Sequence, residues 1–127
     1  MLKAPQHTFP TNNLIHAGML ARTIFIQAGA DLIGAVHRTD HINICIGDIT
    51  VSTDAGMQRL TGYNVLPTRA GMKRIGRAHA DTMWTTICRT DLTDLTAIED
   101  SLVEDSHLLQ TRQQELPAPA PLTLIEV

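Results

Sequence analysis

From Leu20 to Cys88 apolar and polar positions alternate in short runs, and turn-forming residues bound nearly every run. Residues 20–27 (LARTIFIQ) alternate loosely and are partly β-branched, which predicts a strand. A turn at 28–31 follows, then a second strand over 32–36 and a polar corner, His37-Arg38-Thr39-Asp40. Residues 41–46 alternate strictly. Ile42, Ile44 and Ile46 share one face, and His41, Asn43 and Cys45 share the other. The isoleucine face is therefore expected to be buried. Gly47-Asp48 suits a two-residue hairpin turn with glycine first, returning residues 49–53 antiparallel. Asp54-Ala55-Gly56 turns again, and short strands are expected at 57–60 and 63–66. A loop at 67–71 leads to strands at 72–78 and 82–88, split by His79-Ala80-Asp81. Close, even spacing of short strands predicts a small antiparallel barrel with polar side chains gathered at one mouth.

The period changes after Arg89. Leu95, Ile98, Leu102 and Leu109 recur at roughly helical spacing, predicting a helix over 94–112. Thr96 with Glu99 forms a capping-box pattern, and Asp94 is the alternative cap. Glu99 and Asp100 suit the positive end of the helix dipole, and Arg112 the negative end. Pro117, Pro119 and Pro121 then alternate with alanine, an extended semi-rigid spacer, before a short β-like run over 122–127. The organisation expected is an irregular arm over 1–18, a barrel over 19–90, a helical segment over 91–114 and a Pro-rich tail over 115–127.

Composition narrows the classes. A chain of 127 residues supports one domain with one core. Aromatic content is 3 %, so the core must be aliphatic and stacking platforms for single strands are scarce. With a net charge of −3 there is no basic excess, and nucleic-acid binding has no support. No apolar run approaches a membrane span. The polar N-terminus, broken by Pro5 and Pro10, does not read as a secretory signal. Cys45 and Cys88 match no ligand or redox spacing, and buried free thiols in a reducing compartment are expected.

Four features carry candidate chemistry. His37 and His41 flank the polar corner and could offer imidazoles to a metal, although the ligand set looks incomplete. Hydrogen bonding of the two rings to backbone is the bland alternative. Lys73, Arg74 and Arg77 form a basic cluster suited to an interface, to solvation or to an anionic ligand. The helical segment carries Asp94, Glu99, Asp100, Glu104 and Asp105, with no Lys or Arg between Thr90 and Thr111, so charge is segregated as it is in docking subunits. Leu122, Leu124 and Ile125 are too apolar for a free tail. The segment after Gln114 reads as too short and Pro-rich to join its own core, which predicts strand addition to a neighbour's sheet edge. Asp81 reads as a turn residue, and Trp84, the only tryptophan, as a packing residue whose N–H finds an acceptor. No Gly-rich phosphate loop, nucleophile elbow or Cys/His zinc pattern is present.

Several blocks together carry a family resemblance: HRTDH, INICIG, STDAG, PTRAGMKR and ADTMW, followed by IEDSLVEDS. Over residues 20–106 the chain resembles the cupin barrels, and more narrowly the small cupin-like proteins encoded by bacteriophages and prophages. The resemblance implies a mainly β double-stranded β-helix with a C-terminal α-helix and extended arms. Metal-binding cupins share two motifs of His and Glu ligands. Counting from Gly47, the Glu position falls at Asp40, and counting from Gly71, the second-motif His is Arg74. Arginine does not ligate a metal at neutral pH. Any divalent metal at His37, His41 and Asp40, with His79 as a substitute for the missing ligand, is therefore expected to be weakly held, with no cofactor otherwise. The function implied is that of a non-enzymatic phage-type structural or accessory protein, in the virion or the host cytoplasm. It would bind copies of itself and other phage structural proteins. The alternative is a metal-dependent cupin enzyme acting on a small polar substrate.

Overall fold

The structure, a computed structural model, describes residues 9–109 and 124–125. Eight strands and one α-helix occur among them: β1 (Thr11–His16), β2 (Met19–Ile26), β3 (Asp31–Gly34), β4 (His41–Thr53), β5 (Gly56–Thr68), β6 (Ile75–Ala78), β7 (Thr82–Arg89), α1 (Leu95–Leu102) and β8 (Leu124–Ile125). They form one curled, mainly antiparallel sheet in the order β1-β2-β7-β4-β6-β3-β8, with β5 also on β4 and only β8 parallel to its neighbour. The mainly β barrel-type architecture with a C-terminal helix is as expected.

Four local expectations are corrected. Residues 11–16 are a strand and not part of an irregular arm, because Ala17 and Gly18, both at positive φ, make a two-residue hairpin that pairs β1 with β2. Gly47-Asp48 is not a turn. β4 runs unbroken for 13 residues, pairs with β5 along its whole length, and on its other edge meets β7 and then β6. Gly47 is needed there because a Cβ would collide with the Thr82 hydroxyl and lie 2.8 Å from Thr82 Cα, at a φ of +147°. The real turn is Asp54-Ala55, where the Thr53 hydroxyl donates to Gly56 O and accepts from Ala55 N–H.

The faces of β4 are the reverse of those expected. His41, Asn43 and Cys45 point inward with Ile49 and Val51, whereas Ile42 and Ile46 are exposed and Ile44 is half-buried. The helix is also shorter than 94–112. Asp94 caps it by accepting from Ala97 N–H at 2.9 Å. Val103 then turns extended, bridges to His37, and ends it. Leu109 returns to the core after a 3-10 turn at Ser106–Leu108. Residues 110–112 lie outside the described part.

Two aliphatic cores result. One lies between the curled sheet layers and contains Phe9, Ile24, Ile26, Leu32, Ile49, Val51, Trp84 and Ile125. The other lies under α1, where Leu20, Ala35, Cys88, Ile98, Leu102, Val103 and Leu109 meet. Ile125 belongs to the chain's own core, and Ala35 N–H donates to its carbonyl at 2.6 Å. The expectation that the tail adds to a neighbour's edge is thus corrected for Ile125. The fifteen chain steps between Leu109 and Leu124 can span about 50 Å when extended, ample to return across the same barrel. Leu122 falls outside the described residues, and for Leu124 the structure supplies only the pairing with Ile33.

Candidate functional site

A polar layer lies among these cores, built from the inward positions of β2, β4 and β7 and from the loop before β6. Asn43, with no exposed surface, donates through Nδ2 to Thr86 Oγ1 at 2.9 Å, and its Oδ1 accepts from Thr68 Oγ1 at 2.6 Å. Thr68 in turn accepts from Arg74 Nη2 at 2.6 Å. Arg74 is 3 % exposed, donates Nη1 to Ser52 O at 2.8 Å, and holds its guanidinium 5.2 Å from the Trp84 ring centroid. On the helix side Arg22 and Glu99, both buried, pair at 2.6 Å. A cavity of about 20 Å³ lies against that pair, His37, Thr86 and Cys88, closed by Leu102 and Val103 of the helical segment. It has room for about one water.

His37 and His41 do come together. Their ring centroids are 4.2 Å apart, and His41 Nδ1 donates to Thr39 O at 3.1 Å. Burial, with the neighbouring His41 adding to it, pushes the His37 pKa down to about 3, and burial also lowers that of His41. Burial raises both thiols, Cys45 and Cys88, to about 11, which keeps them protonated and unreactive.

The other predicted ligands do not join the pair. The Asp40 carboxylate faces outward and accepts from Ala70 N–H. His79 lies on the far side of the sheet with its Nε2 2.6 Å from Thr50 Oγ1. Among the described residues no group of three or more His, Cys, Asp or Glu side chains converges on a point. Arg74 brings a cation into the layer where the cupin pattern has a histidine. The donor set does not fit a resident metal.

The basic cluster is divided as well. Lys73 is exposed, Arg74 is interior, and Arg77 is exposed and forks onto Asp31 at 2.7 and 2.9 Å. Glu99 is not a solvated acid of the helix but the partner of Arg22. Asp81 acts as a turn residue, accepting from Ala28 N–H. The Trp84 N–H, expected to find an acceptor, has none among the described residues. Arg22, Asn43, Thr68, Thr86 and Glu99 were missed by sequence reasoning. Only Thr86 left a signal, the recurrence of threonine at every fourth position, Thr82, Thr86 and Thr90, on the Trp84 face of β7 and its extension.

The outer face of the same strands is a second feature. In register across β2, β7, β4 and β5 lie three rows: Phe25-Met83-Ile46-Tyr63, Thr23-Thr85-Ile44-Val65 and Ala21-Ile87-Ile42-Pro67. None of these twelve positions is charged. The two threonines bond each other at 2.7 Å. An open groove of about 580 Å³ continues the face past Phe25, Ile46 and Met83 to Pro10 and Asp81.

No family model matches the chain, and no curated protein does. Solved structures do. A cupin superfamily protein from Desulfitobacterium hafniense aligns with a TM-score of 0.56 at 14 % identity, over 71 % of this chain and 84 % of that one. Ectoine synthase from P. lautus gives 0.58 at 14 % identity, over 77 % and 75 %. The Cupin_2 domain of an XRE family transcriptional regulator from Enterobacter cloacae gives 0.52 at 12 % identity, over 64 % and 96 %. The fold is therefore cupin-like. At these identities the likeness extends to the fold alone.

Proposed function

We propose that this cupin-like chain is a non-enzymatic binding protein that works as an assembly of copies, docked through the outer face of the β2–β7–β4–β5 sheet. The uncharged three-by-four grid carries the reading. A solvated sheet face alternates polar residues outward, whereas this one shows Ile42, Ile46, Tyr63 and Val65 at 41–66 % exposure. With side chains it covers roughly 400 Å², the size of patch that marks interaction sites. A second copy is the occupant proposed, because an uncharged surface meets no like-charge repulsion from its own copy, and a two-fold interface pairs the same patch with itself. The interior offers a substrate far less: its described cavity holds about one water.

A virion role, with other phage structural proteins as partners, is the finer form of this reading. It rests on the motif blocks HRTDH, PTRAGMKR and ADTMW alone. The adjacency of His37 and His41 favours the second reading, a metal-dependent enzyme.

The test is the mass in solution. Wild-type protein should sediment as a dimer or larger at micromolar concentration. Ile46→Asp and Val65→Asp should each give a folded monomer. A monomeric wild type at high concentration, or an unchanged mass in both variants, would overturn the proposal.

A further inference from the structure

Arg74 presents a physical problem that the described structure does not solve. Its guanidinium is 97 % buried, yet its two side-chain hydrogen bonds go to neutral acceptors, Ser52 O and Thr68 Oγ1. No carboxylate among the described residues pairs with it. Asp54, the acid whose charge it feels most, is exposed and already bonded to Arg69 at 2.8 Å. Arg22, also buried, is neutralised by Glu99, so among the described residues the layer carries one positive charge more than it has carboxylates to pair it. The Trp84 ring offsets only part of this, because a cation–π contact is weaker than pairing with an opposite charge. A buried ion left without a counter-charge is strongly destabilising.

The orphaned atoms gather beside that charge. Among the described residues, Arg74 Nε and Trp84 Nε1 are both buried donors without an acceptor. Each donor must be satisfied or its desolvation cost is borne in full. The third orphan, His41 Nε2, is a lone pair, since Nδ1 carries the hydrogen that meets Thr39 O. It stands across the strand pair from Thr68, the residue that holds Arg74. As a neutral acceptor it is no part of the charge problem.

We propose that the barrel interior binds one small monovalent anion, of formate or chloride size, between the Arg74 guanidinium and the Trp84 indole N–H. One negative charge cancels the surplus, and the N–H donors of two neighbouring buried side chains gain an acceptor. Arg74 thus supplies, as a fixed cation, the positive charge that a metal would bring to a barrel with the full ligand set. The ligand class changes from a metal-coordinating substrate to a bare anion. The inference is independent of docking through the outer face.

Trp84 makes the test direct, because a single tryptophan gives a single indole ¹⁵N–¹H signal. Full-length protein is titrated with sodium formate and, separately, with sodium chloride, at ionic strength held constant with sodium gluconate. The indole signal and the Arg74 Nε–H signal should shift together and saturate with one dissociation constant near 1 mM for at least one of the two anions. In Arg74→Met the indole shift should vanish. Should that variant not fold, joint saturation of the two wild-type signals decides alone. Linear drift without saturation, which means an adventitious ion only, overturns the site. So does a shift in one signal without the other, or an indole titration preserved in a folded Arg74→Met.

Discussion

The histidine pair shows how a residue's surroundings set its chemistry. In the folded chain burial holds the His37 pKa at about 3 and lowers that of His41, whereas in the unfolded chain both protonate near 6.5. Between those values the unfolded state binds more protons. Stability is therefore full above about pH 6.5 and is lost as pH falls from there toward 3, by up to ~1.4 kcal/mol per pH unit for His37, with His41 acting in the same direction. Denaturant unfolding at pH 7.5 and pH 5 should show a clear drop in wild type and a smaller one in His37→Gln. Equal drops would remove the ring from the account. Two histidines at this corner were legible in the sequence, and so was the absence of a fourth ligand at Arg74. That Asp40 turns outward and His79 lies beyond the sheet was not legible. Both sit in turns, where backbone direction changes within a residue or two and alternation gives no guide.

At the scale of elements, β8 carries the clearest consequence. Ile125 has no exposed surface and contributes to the barrel core through a parallel strand beside β3. Ile125→Ala should cost roughly 2–5 kcal/mol in denaturant unfolding. A cost below about 1 kcal/mol, accompanied by weaker self-association, would return the strand to a neighbouring copy. The strands over 20–26, 41–46 and 82–88 were legible because a period of two is a local property. The joining of 41–53 into one strand was not. Gly47 followed by Asp reads as a hairpin, and only the approach of Thr82 explains a glycine in mid-strand. The helix was legible in place but not in length. Its end is set by the bridge between Val103 and His37, sixty-six positions apart.

For the whole molecule, the mismatch between the donor set and a metal predicts behaviour under chelation. Protein purified without chelator should hold far less than one equivalent of transition metal, and dialysis against EDTA should leave its melting temperature unchanged. One tightly held metal per chain, lost in His37→Ala, would promote the enzyme reading. The amino-acid sequence by itself determined that this chain makes a small, mainly β barrel followed by a helix, because alternation, turn residues and caps act between near neighbours; its likeness to cupins was carried by the motif blocks. Which side of each strand faces in was decided by the tertiary structure. A period of two is satisfied by either face, and Ile42, Ile44 and Ile46 made the wrong one look like the core. Thr68, Arg74 and Thr86, brought together from distant strands, give Asn43 and its layer the hydrogen bonds that make a polar interior tolerable. No local pattern contains those partners. The isoleucines were left outside, where a surface to dock on is what their exposure supports.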